Sequence, residues 1–457
     1  MKKLILTFLF YILICSLFIY LLYDLNIKII LKIIISISFL ILLFLTKSFS
    51  LYFLILSPLF LTFLLRLFLK VPEYFIPTIS ITIIDFFSFF YLFKLFYLNF
   101  KLKVKENFSP FLISFLFLIL FSLLFSKNAK YTLIMFLFIL SVVIYYIALV
   151  NEITELNKIY FFIFFISIFS LFNSFIGFLQ WKGKAIVILG EFLTKLPTGS
   201  FFGATRVRGI LSHMNSYPAI LAFLNPIFLS VLFSNAQKYI KLSCILAIIF
   251  SIPGIIFSLS RAGYICLITG FLSFFFLYLI KEKSKEEIIK ILTLFLLAVL
   301  IFLSIIFIIP QVKMRIINTI TFTKDISARV RFYLWKNSVK TFFEKPLGIG
   351  WGNFIYQPYS LGLWRPHNLY IHLMIELGIG GIILFLFFSF FLIKKLYLKF
   401  KMVKERDLKF LLFGIISSWI IFLIHNIFES IWIPYYHNLE SYTFAWLLFL
   451  TNFLINK

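Results

Sequence analysis

The chain has 457 residues, of which 63% are hydrophobic and 67 are phenylalanine. A soluble domain needs a polar exterior and cannot bury so much apolar surface, so the composition excludes a soluble fold. The net charge of +26 would suggest nucleic acid in a soluble protein. Here the basic residues are distributed over loops between apolar runs, where they set membrane topology, and we expect no nucleic-acid partner.

Apolar segments recur along the whole chain, and each is long enough to cross a bilayer as a helix of about 20 residues. We place them at 4–23, 27–46, 49–69, 75–99, 108–126, 131–150, 159–179, 209–233, 240–258, 262–280, 288–309, 367–393, 410–429 and 439–455. The predicted fold class is therefore all-α: a polytopic transmembrane helical bundle of about twelve to fourteen spans.

The basic loops predict the orientation of this bundle. With the N-terminus inside, the most basic short loops are cytoplasmic: 101–107, 281–290 and 394–409. Two longer loops then lie outside, at 180–208 and 310–366. We expect residues 1–457 to form a single membrane domain.

The three cysteines lie far apart in separate apolar runs, at Cys15, Cys244 and Cys266. Their spacing fits neither a disulfide nor a metal site, and we expect them to be packing residues. We also expect no metal and no cofactor.

Arginines are few in this chain, and most of them collect on the predicted outer side. They are Arg206, Arg208, Arg261, Arg315, Arg329, Arg331 and Arg365. Arginine presents a planar charged fork that suits phosphate, whereas lysine is a mobile point charge. Any single arginine could bind a lipid headgroup, but the set favours a phosphate-containing substrate.

Arg261 and Arg331 are the most informative members of this set. Arg261 lies in a very short turn between two spans, where a charge is costly without a partner; interfacial snorkelling is the alternative. Arg331 lies on a predicted amphipathic helix that Ser327 would cap and Pro346 would stop. The apolar stripe of that helix consists of Trp335, Val339 and Phe342. Arg331 shares this face and Arg329 does not.

The segment HNLYIHLMIELGIGG (367–381) opens an apolar run with a histidine. A helix that begins at His367 would place the imidazole at the positive end of the helix dipole, which favours its neutral form. A neutral imidazole can serve as a general base, although a lone interfacial histidine is often structural. His372 and Glu376 lie one turn apart, and we interpret them as a buried structural pair.

Four landmarks resemble the O-antigen ligase and polymerase-like family of bacterial membrane glycosyltransferases. In order they are RVRGILSHMNSYPAILAFLNPIF (206–228), SLSRAGY (258–264), RVRFYLWKNSVKTFFEKPLGIGWGNF (329–354) and HNLYIHLMIELGIGG (367–381). They lie in the C-terminal half, so the family-like catalytic region is 206–381. The chain has HMN at 213–215, where many members have a proline before the asparagine, and no role is assigned to His213.

The resemblance implies a metal-independent transferase with a GT-C-type fold. Its donor would be a glycan on a polyprenyl (undecaprenyl) diphosphate, used at the outer face of the bacterial inner membrane. Arg261 and Arg331 would bind the diphosphate, and His367 would be the catalytic base. The other expected substrate-binding residues are Arg206, Arg208, Arg329, Arg365 and Asn368.

The sequence leaves the acceptor open. A ligase transfers the glycan to lipid A-core or to another surface acceptor, a polymerase to another lipid-linked repeat unit, and a protein O-oligosaccharyltransferase to protein. A flippase or secondary transporter is an alternative of another class. It would use charges near the bilayer midplane, for which Asp85 and Glu376 are candidates.

Overall fold

The computed structural model of the protein describes most of the chain beyond residue 107. The described ranges are 49–60, 67–69, 79–81, 107–183, 200–201, 204–211, 214–281, 309–320, 326–430 and 439–457, with single residues or pairs within 84–92 and 289–304. The predicted spans 4–23 and 27–46 and the cysteine Cys15 lie outside the described residues, as does most of 288–309.

Helices form nearly all of the described structure. They are α1 (Phe49–Phe60), α2 (Ser109–Phe121), α3 (Ala129–Glu152), α4 (Leu156–Trp181), α5 (Ser216–Phe233), α6 (Lys238–Phe257), α7 (Arg261–Lys281), α8 (Pro310–Ile320), α9 (Ile326–Glu344), α10 (Leu369–Met402), α11 (Arg406–Phe428) and α12 (Leu439–Asn456). Short 3-10 turns occur at Ser122–Phe125 and Phe354–Tyr356. Two short antiparallel hairpins pair β1 (Leu67–Leu69) with β2 (Ile79–Ile81) and β3 (Ser200–Phe201) with β4 (Ala204–Thr205).

The hairpins correct two of the predicted spans. The segment 49–69 contains a helix at Phe49–Phe60 and strand β1 at Leu67–Leu69, and the segment 75–99 contains strand β2. Both segments are mainly apolar, so hydropathy alone gave no sign of the strands.

Seven helices in the described part of the chain are long and apolar enough to cross a membrane: α3, α4, α5, α6, α7, α10 and α11. Within lipid a helix satisfies all of its own backbone polar groups, which is why such apolar runs fold this way. The chain is thus an all-α, multi-pass membrane protein, as predicted. Cys244 and Cys266 are buried free thiols within two of these spans.

The connections between helices divide the bundle into two ends. The lysine end consists of the turns after α3, α5 and α10, at 153–155, 234–237 and 403–405. Two of these turns meet, since the backbone N–H of Asn235 donates to Asp407 over 2.8 Å. The site end consists of the segments before α5, α7 and α10, at 206–215, 258–260 and 365–368. The arginine-bearing segments therefore share one end.

Helix α5 is the most buried of these seven helices in the described part of the chain. It packs against α6, α7 and α11 at close range. A Cβ at Gly263 would lie 2.6 Å from Pro218, and one at Gly414 would lie 2.6 Å from the carbonyl oxygen of Pro226. Small residues let membrane helices approach in this way. The packing fixes the start of α5 beside the end of α11, where the site lies.

Helix α10 extends well beyond its predicted end at 393. It continues to Met402, so most of the basic segment 394–409, predicted as a loop, is helical. Lysine is compatible with a helix, and its charge marks only the membrane boundary. Gly378 interrupts the helix with φ 65°, a left-handed conformation that glycine adopts readily.

Candidate active site

A carboxylate lies at the centre of the site end. Glu429 directly follows α11, and its side chain is 1% exposed. Its Oε1 lies 2.7 Å from Nδ1 of His367 and 3.2 Å from Nε of Arg365. Its Oε2 accepts a hydrogen bond from Asn215 over 2.9 Å and lies 3.8 Å from Nη2 of Arg331. Groups from three distant segments therefore meet on one carboxylate.

His367 stands just before α10 rather than inside it. The prediction that the helix begins at His367 is wrong, because Asn368 is the N-cap and its side chain accepts the backbone N–H of Ile371 over 3.0 Å. His367 has φ 57°, which is uncommon for a residue with a Cβ. Trp335 of α9 donates its indole N–H to the carbonyl of Pro366 over 2.8 Å. The Asn368 cap fixes the backbone after His367, and Trp335 fixes the backbone before it.

The contact with Glu429 decides which ring nitrogen of His367 carries the hydrogen. An ionised carboxylate only accepts hydrogen bonds, so Nδ1 carries the hydrogen and donates it. In the neutral imidazole, Nε2 then keeps its lone pair. The side chain is 17% exposed, so it is not fully enclosed. This is the tautomer that a general base requires.

Arg331 of α9 and Arg365, which lies before α10, both approach the carboxylate of Glu429. Arg365 also donates Nη1 to the carbonyl of Ser430 over 3.1 Å. The side chains of Arg331 and Arg365 are 19% and 16% exposed, so neither is fully enclosed. Each guanidinium has five N–H donors in a planar fork, a geometry that suits phosphate oxygens.

The face of α9 that carries Arg331 is buried, but its composition differs from the predicted stripe. Leu334, Ser338 and Thr341 are buried, whereas Val339 is 38% exposed. The prediction favoured the most apolar residues. The helix instead turns the face that surrounds Leu334 towards Ile349 of the following loop.

Three further arginines lie around the turn that joins α6 to α7. Nε of Arg206 donates to the carbonyl of Ser258 over 3.0 Å, and Nε of Arg315 donates to the carbonyl of Leu259 over 3.1 Å. Arg261 is the first residue of α7, directly after this turn. The turn thus holds two guanidinium groups through its carbonyls and supplies a third from its own sequence.

Arg206 experiences the positive charge of its neighbours. The pKa of Arg206 is lowered to about 10. Burial is the largest cause, and the like charges of Arg315, Arg331 and Arg261 also contribute. Its Nη2 donates over 3.0 Å to Asn215, whose amide also donates to the central carboxylate. Five guanidinium groups, counting Arg365, therefore share this end with Glu429. The excess positive charge favours an anionic ligand.

Three other predicted binding residues occupy different environments. Arg208 is half-buried, and burial lowers its pKa; its backbone N–H donates to Gln180 over 2.9 Å. Arg329 is exposed on α9. Asn368 uses its amide within the protein, since it caps α10 and donates to the carbonyl of Ile427 over 3.0 Å. The structure places Asn368 in the scaffold that holds His367.

His372, which lies within α10, belongs to an enclosed pair. Nε2 of His372 lies 3.0 Å from Glu376, and both side chains are 0% exposed, which confirms the predicted buried pair. Glu376 also accepts the backbone N–H groups of Gly352 and Phe354, over 2.8 and 3.0 Å. His372 stacks in parallel on Trp351. The glycine-rich segment GIGWGNF (348–354), which follows α9, therefore packs against α10.

Sequence reasoning missed Glu429 and the linking role of Asn215. Glu429 stands at the last position of the predicted span 410–429, where an acidic residue is easily taken for an ordinary boundary. The sequence did offer one signal, which is the negative charge of Glu429. It is an acidic residue at the end of a span whose other end faces the lysine-rich side, so the topology places it among the arginines.

Residues 246–386 match the sequence model of a family described as O-antigen ligase. The matched region includes Arg261, Arg315, Arg331, Arg365 and His367. The matched segment is about a third of the chain, and it is similar to this family. No curated protein matches the chain. The match supports a ligase- or polymerase-type role in polysaccharide biosynthesis. Glu429 and Arg206 lie outside the matched range, so the candidate site includes residues that only the fold brings to it.

Proposed function

We propose that the protein acts as an O-antigen ligase in surface polysaccharide biosynthesis. It transfers a glycan from a polyprenyl (undecaprenyl) diphosphate to an acceptor hydroxyl at the outer face of the bacterial inner membrane. The observation that carries this proposal is the contact of His367 with Glu429 among five guanidinium groups at one end of a membrane bundle. A base beside a cationic site suits a donor whose diphosphate is anionic and whose tail stays in the bilayer.

The guanidinium groups bind the diphosphate. Arginine forms paired hydrogen bonds with phosphate oxygens, and a bound anion offsets the mutual repulsion that acts on Arg206. As the glycan leaves, negative charge grows on the diphosphate. Fixed positive groups stabilise this charge in the transition state more than in the bound donor, and this difference accelerates the reaction.

His367 acts as the general base of the reaction. The acceptor hydroxyl gives its hydrogen to Nε2 while its oxygen forms a bond to the anomeric carbon of the donor sugar. The bond from that carbon to the phosphate oxygen breaks, and its electron pair leaves with the polyprenyl diphosphate. The ring becomes an imidazolium, which the carboxylate of Glu429 stabilises through Nδ1 over 2.7 Å.

The distribution of basic residues supports an outward-facing site. Lys238, Lys241, Lys401, Lys404 and Lys409 lie at or beside the turns of the lysine end. Lysine-rich short turns remain in the cytoplasm, so the site end faces outward. A lipid-linked donor presents its diphosphate at this depth.

The test is a transfer assay with purified protein in detergent. The reaction contains a glycan on polyprenyl diphosphate and a lipid A-core acceptor. The ligase proposal predicts a glycosylated acceptor and free polyprenyl diphosphate in equal amounts. Growth of the lipid-linked glycan in the absence of acceptor would instead identify a polymerase with the same chemistry. If purified, donor-binding protein forms neither product, the proposal is wrong.

A further inference from the structure

His367 has a backbone conformation that its surroundings must hold in place. Its φ is 57°, in the left-handed region, where the Cβ of a residue other than glycine lies too close to a carbonyl oxygen. Such conformations persist only where neighbouring contacts over-determine them. The contacts of this turn therefore decide where the imidazole of His367 lies.

The carbonyl of Pro366 controls this conformation directly. It belongs to the planar peptide unit that joins Pro366 to His367, so a rotation of that unit about the N–Cα bond of His367 changes φ of His367. The indole N–H of Trp335 donates to this carbonyl over 2.8 Å. Because the hydrogen bond fixes the direction of the carbonyl, it also fixes the direction of the imidazole relative to α10.

Helix α9, which carries Trp335, is itself anchored to α10. Leu334, the residue before Trp335, is 0% exposed and packs in a cluster with Ile349 and with Ile375 of α10. Trp335 is partly buried against the same cluster. The indole therefore reaches Pro366 from a rigid position.

The same helix contacts the other member of the pair. Arg331 lies one turn before Trp335 on α9, and its Nη2 is 3.8 Å from Oε2 of Glu429. Glu429 and His367 meet over 2.7 Å. Helix α9 thus supports the histidine through Trp335 and the carboxylate through Arg331.

We propose that Trp335 is a positioning residue for the base, and that it holds His367 against Glu429 through the peptide group of Pro366. This inference rests on the proposed function. Trp335 acts through His367 and not by contact with the reacting atoms. Without its N–H the peptide group rotates, His367 adopts a negative φ and its imidazole leaves the carboxylate. The ring then loses the tautomer that a general base requires.

Trp335→Phe removes the N–H and keeps an aromatic ring. We expect kcat to fall by roughly tenfold to a hundredfold, because a small misplacement of a catalytic group has an effect of that order. The dissociation constant of the donor should stay at the wild-type value. Trp446→Phe is the matched control, since Trp446 is 0% exposed and donates its indole N–H to Tyr145 over 3.0 Å. Its kinetics should equal those of the wild type.

The same substitution in a His367→Ala background separates positioning from general support of the fold. If Trp335 acts through His367, Trp335→Phe should change the residual rate in that background by less than about twofold. A purely structural role would lower the rate by the same factor in both backgrounds.

Nitrogen NMR of protein with isotope-labelled histidine tests the contact without any turnover. At alkaline pH, where imidazole is neutral, the spectrum distinguishes the two tautomers, and His367→Ala identifies the signals of His367. These should report the Nδ1–H form in the wild type and shift towards the Nε2–H form in Trp335→Phe. The signals of His372, which contacts Glu376 over 3.0 Å, should not change.

Four results would overturn the inference: a wild-type kcat for Trp335→Phe, an equal loss in both backgrounds, a loss that weaker donor binding explains, or an unchanged tautomer of His367. Trp335→Met, a second replacement without the N–H, is measured if Trp335→Phe does not fold. Failure of both variants to fold would make Trp335 a residue of the general fold and would also overturn the inference. A wild type that transfers no glycan would end the proposed function, whereas the NMR comparison would still test the contact of Trp335 with the histidine turn.

Discussion

Two histidine–glutamate pairs lie near the start of α10. His367 and Glu429 are 2.7 Å apart, and His372 and Glu376 are 3.0 Å apart. The first histidine is 17% exposed and its carboxylate also contacts two arginines. The second pair is 0% exposed, and its carboxylate accepts two backbone N–H groups.

The surroundings of the two pairs distinguish the one that we propose to be reactive from the enclosed one. Glu376 satisfies the backbone of a docked loop and has no exposed face from which a substrate could approach. Glu429 joins segments that bear positive charge, and it orients an imidazole that remains accessible. We therefore propose different roles for the same two residue types, because their partners and their exposure differ.

The largest contrast should come from the same substitution in both pairs. Glu429→Gln should lower the transfer rate by about a hundredfold or more, because an amide neither fixes the tautomer of His367 nor stabilises the imidazolium. Glu376→Gln should instead lower the free energy of unfolding by about 1–3 kcal/mol, because a backbone donor then faces an amide N–H₂. Its rate per folded molecule should not change. Transfer kinetics and thermal unfolding of both variants test this contrast.

Two results would remove the distinction. One is a Glu429→Gln variant that transfers glycan at the wild-type rate. The other is a Glu376→Gln variant that folds with full stability but has lost its activity, which would make the enclosed pair the reactive one.

A smaller effect should distinguish the arginines of the site end from basic residues at the lysine end. Arg261→Lys keeps the charge but loses the planar fork, and we expect the KM of the donor to rise by roughly tenfold. Arg406→Lys makes the same change in an exposed residue at the start of α11 and should leave the kinetics unchanged. Equal kinetic constants for wild type and Arg261→Lys would mean that Arg261 only stabilises the membrane interface.

The spans of the C-terminal half were predictable because hydropathy is a local property of the sequence. The buried pair of His372 and Glu376 was predictable for the same reason, since residues four apart on a helix are neighbours. The short strands β1 and β2 were not, because apolar residues suit strand and helix alike. The extension of α10 to Met402 was missed because the basic residues were read as a loop.

The candidate site was predictable only in part. The arginines and His367 stood out by residue type and by their side of the membrane. Glu429 and Asn215 did not, because their roles depend on contacts with residues that are far away in the sequence. Arg206 was among the expected binding residues, but the repulsion that acts on it follows from how the helices bring the guanidinium groups together.

His367→Ala tests the central claim most directly, when transfer and donor binding are measured on the same purified protein. The remaining arginines should still hold the diphosphate, so the dissociation constant of the donor should stay close to that of the wild type. The transfer rate should fall by roughly 10²–10⁴-fold, the usual contribution of a positioned base. A near-normal rate would contradict the role of His367 as the base, and so would a loss of transfer that weaker donor binding explains completely.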